Sequence, residues 1–439
     1  MKLEIRITRD MMSDLFLIFL LSSDFLRIIL GRCLGILGLA SYSSLMTSIL
    51  IFLPLILFYL LGAKINFNLI KALLIILGII CFFAISYMWH PSYGVWYARE
   101  NYGVWDAIFN PISGSIYTIF AFAVVNDINR IIKDSKYVAY FQFFACLYQV
   151  LVSISRGYWE AYNSKGEVIE STYNVDFGYK AAYVALLFLI YFILEHRKFK
   201  KIVYLICTAI ASFWIIIYGS RGSIFTFGVG VLLLIGFKIR ILSKVKQIFI
   251  WLGSFILIIL ASSFYNILIN GLLSILKAAN INSRTITMIL TGNFMDENGR
   301  DTISNMAINV IQNQGLLGSG AFGDRPVIGP YYYWGYCHNI VLEFLIDFGV
   351  IIGTILLCLL AIKCIQYYFR CDDWKQAGIF VVLFSINLKL FFSDTFWGFE
   401  YFWLLISLLS FTGHRKNKNQ KRKRKYRFCT KKHIEGIFI

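Results

Sequence analysis

Long apolar stretches alternate with short polar ones through almost the whole chain, at about 14–31, 41–62, 69–89, 112–128, 136–153, 177–195, 202–218, 222–237, 247–268, 340–369, 376–393 and 397–412. An α-helix rises about 1.5 Å per residue, so roughly twenty apolar residues cross the ~30 Å hydrocarbon layer of a bilayer. The pattern predicts an all-α integral membrane protein with about 12 transmembrane helices. The stretch at 222–237 is short and glycine-rich, and the first one carries Asp24 and Arg27. No small-residue cleavage site follows the run Leu15 to Leu21, which therefore reads as a retained span. Composition agrees: 59% hydrophobic residues, 18% aromatics and a mean hydropathy of +0.69 exclude an ordinary soluble globular chain.

The polar intervals divide the chain into a membrane domain, 1–413, and a basic tail, 414–439. The largest interval, 269–339, is too long for a connector. Within it, Asp301 to Gln314 places Ile303, Met306, Ala307, Val310 and Ile311 on one helical face, the pattern of a short amphipathic helix lying over the membrane as a lid. Intervals 90–111 and 154–176 are rich in Trp, Tyr, Asn and Glu. Such residues form an interfacial belt, or they offer ring faces to sugars; Trp96, Trp159 and Tyr333 are the candidate platforms.

Charge adds orientation. The formal net charge is +18, but eleven of the 42 Lys and Arg residues lie in the tail, and most of the others flank alternate ends of the spans. That distribution fits the positive-inside rule with both termini cytoplasmic, a tail touching anionic lipid and no nucleic-acid partner. The nine cysteines form no CxxC pair, and no metal-ligand spacing occurs.

Chemistry concentrates near Gly315 to Gly353, where a polar, glycine-rich, aromatic loop runs straight into an apolar span. His338 stands at that junction, in Cys-His-Asn-Ile-Val-Leu-Glu, with Asn339 adjacent and Glu343 five residues on. A histidine at a helix mouth can take a proton from a hydroxyl near neutral pH, or can simply hydrogen-bond its loop. Arg221, in Tyr-Gly-Ser-Arg-Gly-Ser, suits a phosphate or diphosphate through its planar fork and the adjoining helix N-terminus. It is expected to approach His338 across an outward-facing cavity. Arg284 and Arg300, in the large interval, are the candidates for a second anion clamp; Arg300, leading the amphipathic helix, is the better one. Lys389, Asp394 and Glu400 either line the cavity or sit at helix ends.

These features resemble the O-antigen polymerase and ligase superfamily of bacterial envelope glycosyltransferases. The likeness rests on the many spans, the large loop before the last helices, the turn Ser220-Arg221-Gly222, Gly318-Ser319-Gly320 after a loop arginine, and the His338-to-Gly349 stretch His-Asn-x-x-Leu-Glu-x-x-x-x-x-Gly. It implies a metal-independent enzyme without a cofactor, in the bacterial cytoplasmic membrane. Such an enzyme takes glycan from an undecaprenyl-diphosphate carrier and passes it to an acceptor hydroxyl at the outer face. Arg221, Arg300 and His338 would be catalytic, and Arg284, Asn339, Glu343, Trp96, Trp159 and Tyr333 would bind substrate. The partners implied are the lipid-linked oligosaccharide, membrane lipid, and a flippase and chain-length regulator of the same pathway. A repeat-unit polymerase is the leading reading and an O-antigen ligase the alternative. A lipid-linked oligosaccharide flippase would instead call for structural repeats and mid-membrane charges.

The orientation is testable by labelling engineered cysteines with an impermeant reagent in intact cells, or in spheroplasts where an outer membrane intervenes. Position 320 is expected to react and a tail position is not; the reverse result would invert the topology.

Overall fold

The computed structural model describes residues 7–110, 115–162, 168–171, 174–241, 244–248, 252–253, 270–271, 274 and 300–412. Arg284, most of the expected span at 247–268 and the basic tail lie outside the described residues. The longer helices are α1 (Arg9–Leu21), α2 (Ser23–Ile36), α3 (Ser43–Leu60), α4 (Phe67–Trp89), α5 (Ile128–Arg156), α6 (Val175–Leu194), α7 (Lys198–Tyr218), α8 (Arg221–Ile241), α9 (Arg300–Asn313), α10 (Ile340–Arg370), α11 (Trp374–Asn387) and α12 (Glu400–Phe411). A hairpin of two antiparallel strands, β1 (Trp159–Tyr162) and β2 (Val168–Ser171), follows α5.

This is an all-α membrane protein. Among the described residues, eight helices are long and apolar enough to cross a bilayer: α3 to α8, α10, and α11 together with the turn that extends it. The apolar α12 is shorter. Two expected spans take another form. The stretch 14–31 divides at Ser22, where the chain leaves helical geometry between α1 and α2, and Asp24 just beyond pairs with Lys180 of α6 at 2.5 Å. Residues 115–124 form a 3-10 turn and a five-residue helix, buried against α12. There Ser407 accepts from the Phe122 N–H at 3.2 Å and donates to the Ile119 carbonyl at 2.7 Å. A backbone that departs from helix inside an apolar body needs such partners, so this segment is shielded by protein rather than lipid.

Helix α6 is the hub, packed on α5, α7, α8 and α11, whereas α3, α4, α7 and α10 carry rows of exposed Leu and Ile. Contacts sort the turns into two ends. At one end Arg130 binds Asp10 and Asp14, Lys375 reaches Asn129 at 2.7 Å, and Asn66 donates to the Ala123 carbonyl at 3.0 Å. The residues just after α4, the hairpin, the α7–α8 turn and the loops before α10 and α12 gather at the other end.

The decisive irregularity lies in α10. At Gly349 the backbone adopts φ 81° and ψ 163°, which breaks the helix and carries the following N–H groups away from the Ile346 carbonyl and those after it. The loop before α10 supplies a donor in their place, the Ser319 N–H to the Ile346 carbonyl at 2.8 Å, and the Gln314 side chain also donates to the Leu345 carbonyl at 2.6 Å. The loop comes so close that a Cβ on Gly349 would stand 2.2 Å from the Leu316 carbonyl oxygen. The amphipathic helix α9 packs on α10 beside this break, with Ile303 and Ala307 buried and Met306, Val310 and Ile311 around them.

Gly349→Ala is expected to destabilise the protein by more than the roughly 1–3 kcal/mol of an unfavourable φ alone, because the new methyl also strikes backbone. Gly228→Ala, in a helix where an added Cβ meets nothing within 4 Å, should be neutral or stabilising by about 0.5–1 kcal/mol. Thermal unfolding in detergent compares the two; a Gly349→Ala protein as stable as wild type would contradict this account of the break.

Candidate functional site

Two residues with left-handed backbone face each other at the loop-rich end: His338, φ 56°, and Asp394, φ 73°. The Asp394 N–H donates to His338 Nδ1 at 3.3 Å. Asp394 is itself fixed, its carboxylate taking the Lys389 ammonium at 2.6 Å and the Thr395 N–H at 2.9 Å. Lys389 is buried and also binds Asp176, in the first turn of α6, at 2.8 Å. The rings of Trp334 and Tyr336 approach the imidazole with centroids at 5.3 and 4.4 Å.

This setting decides what the histidine can do. A ring nitrogen that accepts a hydrogen bond carries no proton, so the neutral ring bears its proton on Nε2. Burial pushes the His338 pKa down to about 3, and the charges of Arg300, Arg325 and Lys389 add to the effect. His338 is therefore an uncharged N–H donor over the physiological range, not the proton acceptor that its position in the sequence suggests.

Behind it lies a buried polar cluster that sequence reasoning did not find. Arg325 Nη1 binds both carboxylate oxygens of Asp324, at 2.7 and 2.9 Å, and Nη2 lies 3.5 Å from Glu343 Oε1. Glu343 accepts from the Thr395 hydroxyl and from the Phe396 N–H at 3.1 Å. Asp347, one turn on, takes the Trp397 indole N–H at 2.6 Å and the Gly323 N–H at 3.2 Å. Asp324 Oδ2 accepts from the Cys337 N–H at 2.9 Å. The loop that carries His338 is thus tied to α10 and to the segment before α12. Only the neighbouring pair Asp324-Arg325 in a glycine-rich loop signals this cluster in the sequence.

The other candidates occupy varied places. Arg221 opens α8, behind Ser220, whose side chain accepts from the Ser223 N–H at 3.3 Å. Gly222 lets this turn close on α6, since a Cβ there would lie 2.0 Å from the Tyr179 hydroxyl and 3.6 Å from Phe392 Cβ. Phe392 also meets Phe225 with centroids 5.5 Å apart, so the helix that Arg221 opens and the loop of His338 both meet the 392–394 segment. Arg300, first residue of α9, sends its field to both His338 and Tyr179.

Three substrate-binding candidates turn out to be engaged structurally. Asn339 caps α10, its side chain accepting from the Val341 and Leu342 N–H groups at 2.9 and 3.3 Å. Glu343 is sealed in the Arg325 cluster at 1% exposure. Trp159 is buried in β1 against Phe177 and Tyr218, centroids at 4.7 and 5.3 Å, and offers no open face to a sugar. Trp96 and Tyr333 do reach the loop-rich end, where both rings flank Arg99. Among the described residues, no three His, Cys, Asp or Glu side chains are grouped so as to hold a metal ion.

The comparisons with known proteins bear on this region. Residues 204–358 match the family model described as O-antigen ligase. That match supports the O-antigen polymerase and ligase superfamily and, in general terms, a glycosyl-transferring activity of polymerase or ligase type. It spans the Arg221 turn, α9, the loop of His338 and the broken part of α10. No curated protein matches the chain.

In ¹⁵N-histidine NMR of wild type against His338→Gln, the His338 signal is expected to show an uncharged ring protonated at Nε2 down to about pH 5, well below the ordinary value of about 6.5. A His338 signal titrating near the ordinary value would overturn the assignment.

Proposed function

We propose that the protein is a bacterial surface-polysaccharide polymerase. It moves glycan from an undecaprenyl-diphosphate carrier to a lipid-linked repeat unit at the outer face of the cytoplasmic membrane, both termini being inside. One observation carries the reading. The turn that carries Arg221, through Gly222 and Phe225, and the neutral imidazole of His338 both meet the 392–394 segment, and His338 lies within the field of Arg300 at the start of α9. A lipid diphosphate is already an activated donor, so the protein must mainly stabilise charge on the departing diphosphate.

The acceptor oxygen bonds to the anomeric carbon while the carbon–oxygen bond to the diphosphate breaks. The diphosphate keeps the electron pair, and the hydroxyl proton passes to a diphosphate oxygen or to water. Arg221 and Arg300 supply fixed positive charge, and His338 donates Nε2–H to an oxygen that gains charge. This chemistry requires no cofactor. The family description keeps an O-antigen ligase as the second reading. Deletion in the host separates them on a glycan gel: single-repeat product means a polymerase, and unattached lipid-linked long polymer means a ligase.

Arg221→Lys is expected to damage polymer formation almost as badly as Arg221→Ala at matched membrane abundance. Lysine keeps the charge but loses the planar two-pronged contact, and one such donor is worth about 10²–10³ in rate. Wild-type polymer from the lysine variant would return Arg221 to an interfacial role.

A further inference from the structure

Arg99, on the short segment between α4 and α5, is held in an unusual way. Its guanidinium carbon lies 5.1 Å from the centroid of Trp96 and 4.8 Å from that of Tyr333. Among the described residues no carboxylate comes within ion-pair distance of it, and its Nη1 is buried without a hydrogen-bond partner. The same is true of Nε of Arg325, a residue only 3% exposed, and of the Trp334 indole N–H. The two guanidinium groups border one spot. The position of a Cβ on Gly335 would be 3.2 Å from Arg325 Cδ and 3.6 Å from Arg99 Nη1, and Trp334 is the preceding residue.

Burying an N–H without an acceptor costs about 1–3 kcal/mol, more when it is charged. Two buried guanidinium N–H groups with no acceptor of their own, both close to Gly335, describe a place built for something that brings oxygen. We propose that Arg99 and the bare backbone at Gly335 form an oxyanion subsite that binds a charged group of a glycan substrate beside His338. Ring contacts cover the guanidinium, which leaves its in-plane N–H edge for a ligand, and two oxygens of a carboxylate or phosphate match that edge. A sugar hydroxyl would satisfy one donor but not the charge. Tyr333, 59% exposed, is the outer cover and must swing aside as the ligand enters. Trp334 packs on His338, so a group held here places the attached sugar next to the imidazole.

The inference rests on the glycan-transfer reading above, and two sources supply the same chemistry: the diphosphate of a second lipid carrier, or the carboxylate of an acidic sugar in the repeat. The test is direct binding to the purified full-length protein, without turnover. The probes are farnesyl diphosphate, a glucuronate-bearing disaccharide and its neutral glucose counterpart. The proteins are wild type, Arg99→Gln, Arg99→Lys, and Lys133→Gln as a control at the other end.

Arg99→Gln is expected to weaken one oxyanion probe about tenfold or more, with Arg99→Lys intermediate and both the neutral disaccharide and the control unchanged. Loss of the diphosphate identifies the carrier as the source, and loss of the glucuronate identifies an acidic sugar. An Arg99→Gln protein that binds both oxyanion probes as the wild type does overturns the subsite alone. Wild type binding neither probe overturns the glycan-transfer reading with it.

Discussion

A helix interrupted inside an apolar body must find new partners for its carbonyls, and the break of α10 at Gly349 imposes that demand on everything around it. Each unsatisfied carbonyl in such a place costs several kcal/mol, and the loop 314–323 supplies donors from Gln314 and Ser319. Once that loop is seated, Asp324 and Arg325 are buried next to Glu343, and the segment 394–397 is drawn in through Thr395, Phe396 and Trp397. Asp394 then presents its N–H to His338. The position of the imidazole thus follows from a gap in a helix more than ten residues away.

The site is electrostatically selective in how it disposes of charge. Lys389 lies between Asp176 and Asp394, and Arg325 between Asp324 and Glu343, so these two cations serve mainly to fix geometry. Their fields still reach His338 and keep it neutral, as does Arg300. A neutral donor held by backbone costs little to reorganise as charge develops on a neighbouring oxygen, which is the preorganisation that makes fixed dipoles effective. An uncharged imidazole is physically economical here because a protonated ring would add one more buried cation to Lys389 and Arg325.

Much of the fold was legible in the sequence because hydropathy acts at the length of a bilayer, and α3 to α8, α10 and α11 declare themselves by composition alone. The amphipathic α9 was equally legible, as Ile303 and Ala307 recur at helical spacing. Residues 115–124 were not, since an apolar run buried in protein looks the same as one facing lipid, and the hydroxyl of Ser407 that rescues its backbone lies almost three hundred residues away. Within the site, His338 and Arg221 stand out because they are polar where the chain is otherwise apolar. Trp159 misled for the matching reason: an aromatic in a polar loop reads as a platform, while its burial depends on Phe177 and Tyr218 in other elements. Arg99 and Arg325 escaped notice because their significance lies in which partners they have or lack.

The pairing of Lys389 with Asp176 and of Asp394 with His338 has a consequence for biosynthesis. A membrane chain is laid down from its N-terminus, and α6 with Asp176 is made some two hundred residues before Lys389. Until the hairpin of α11 and α12 arrives, Asp176 has no such cation and His338 no donor for Nδ1. The N-terminal three quarters of the molecule can enter the bilayer as an inert scaffold, and the last helices to be inserted complete the centre. A nascent chain stalled before them would occupy the membrane with Asp176 and His338 still lacking the partners that fix them.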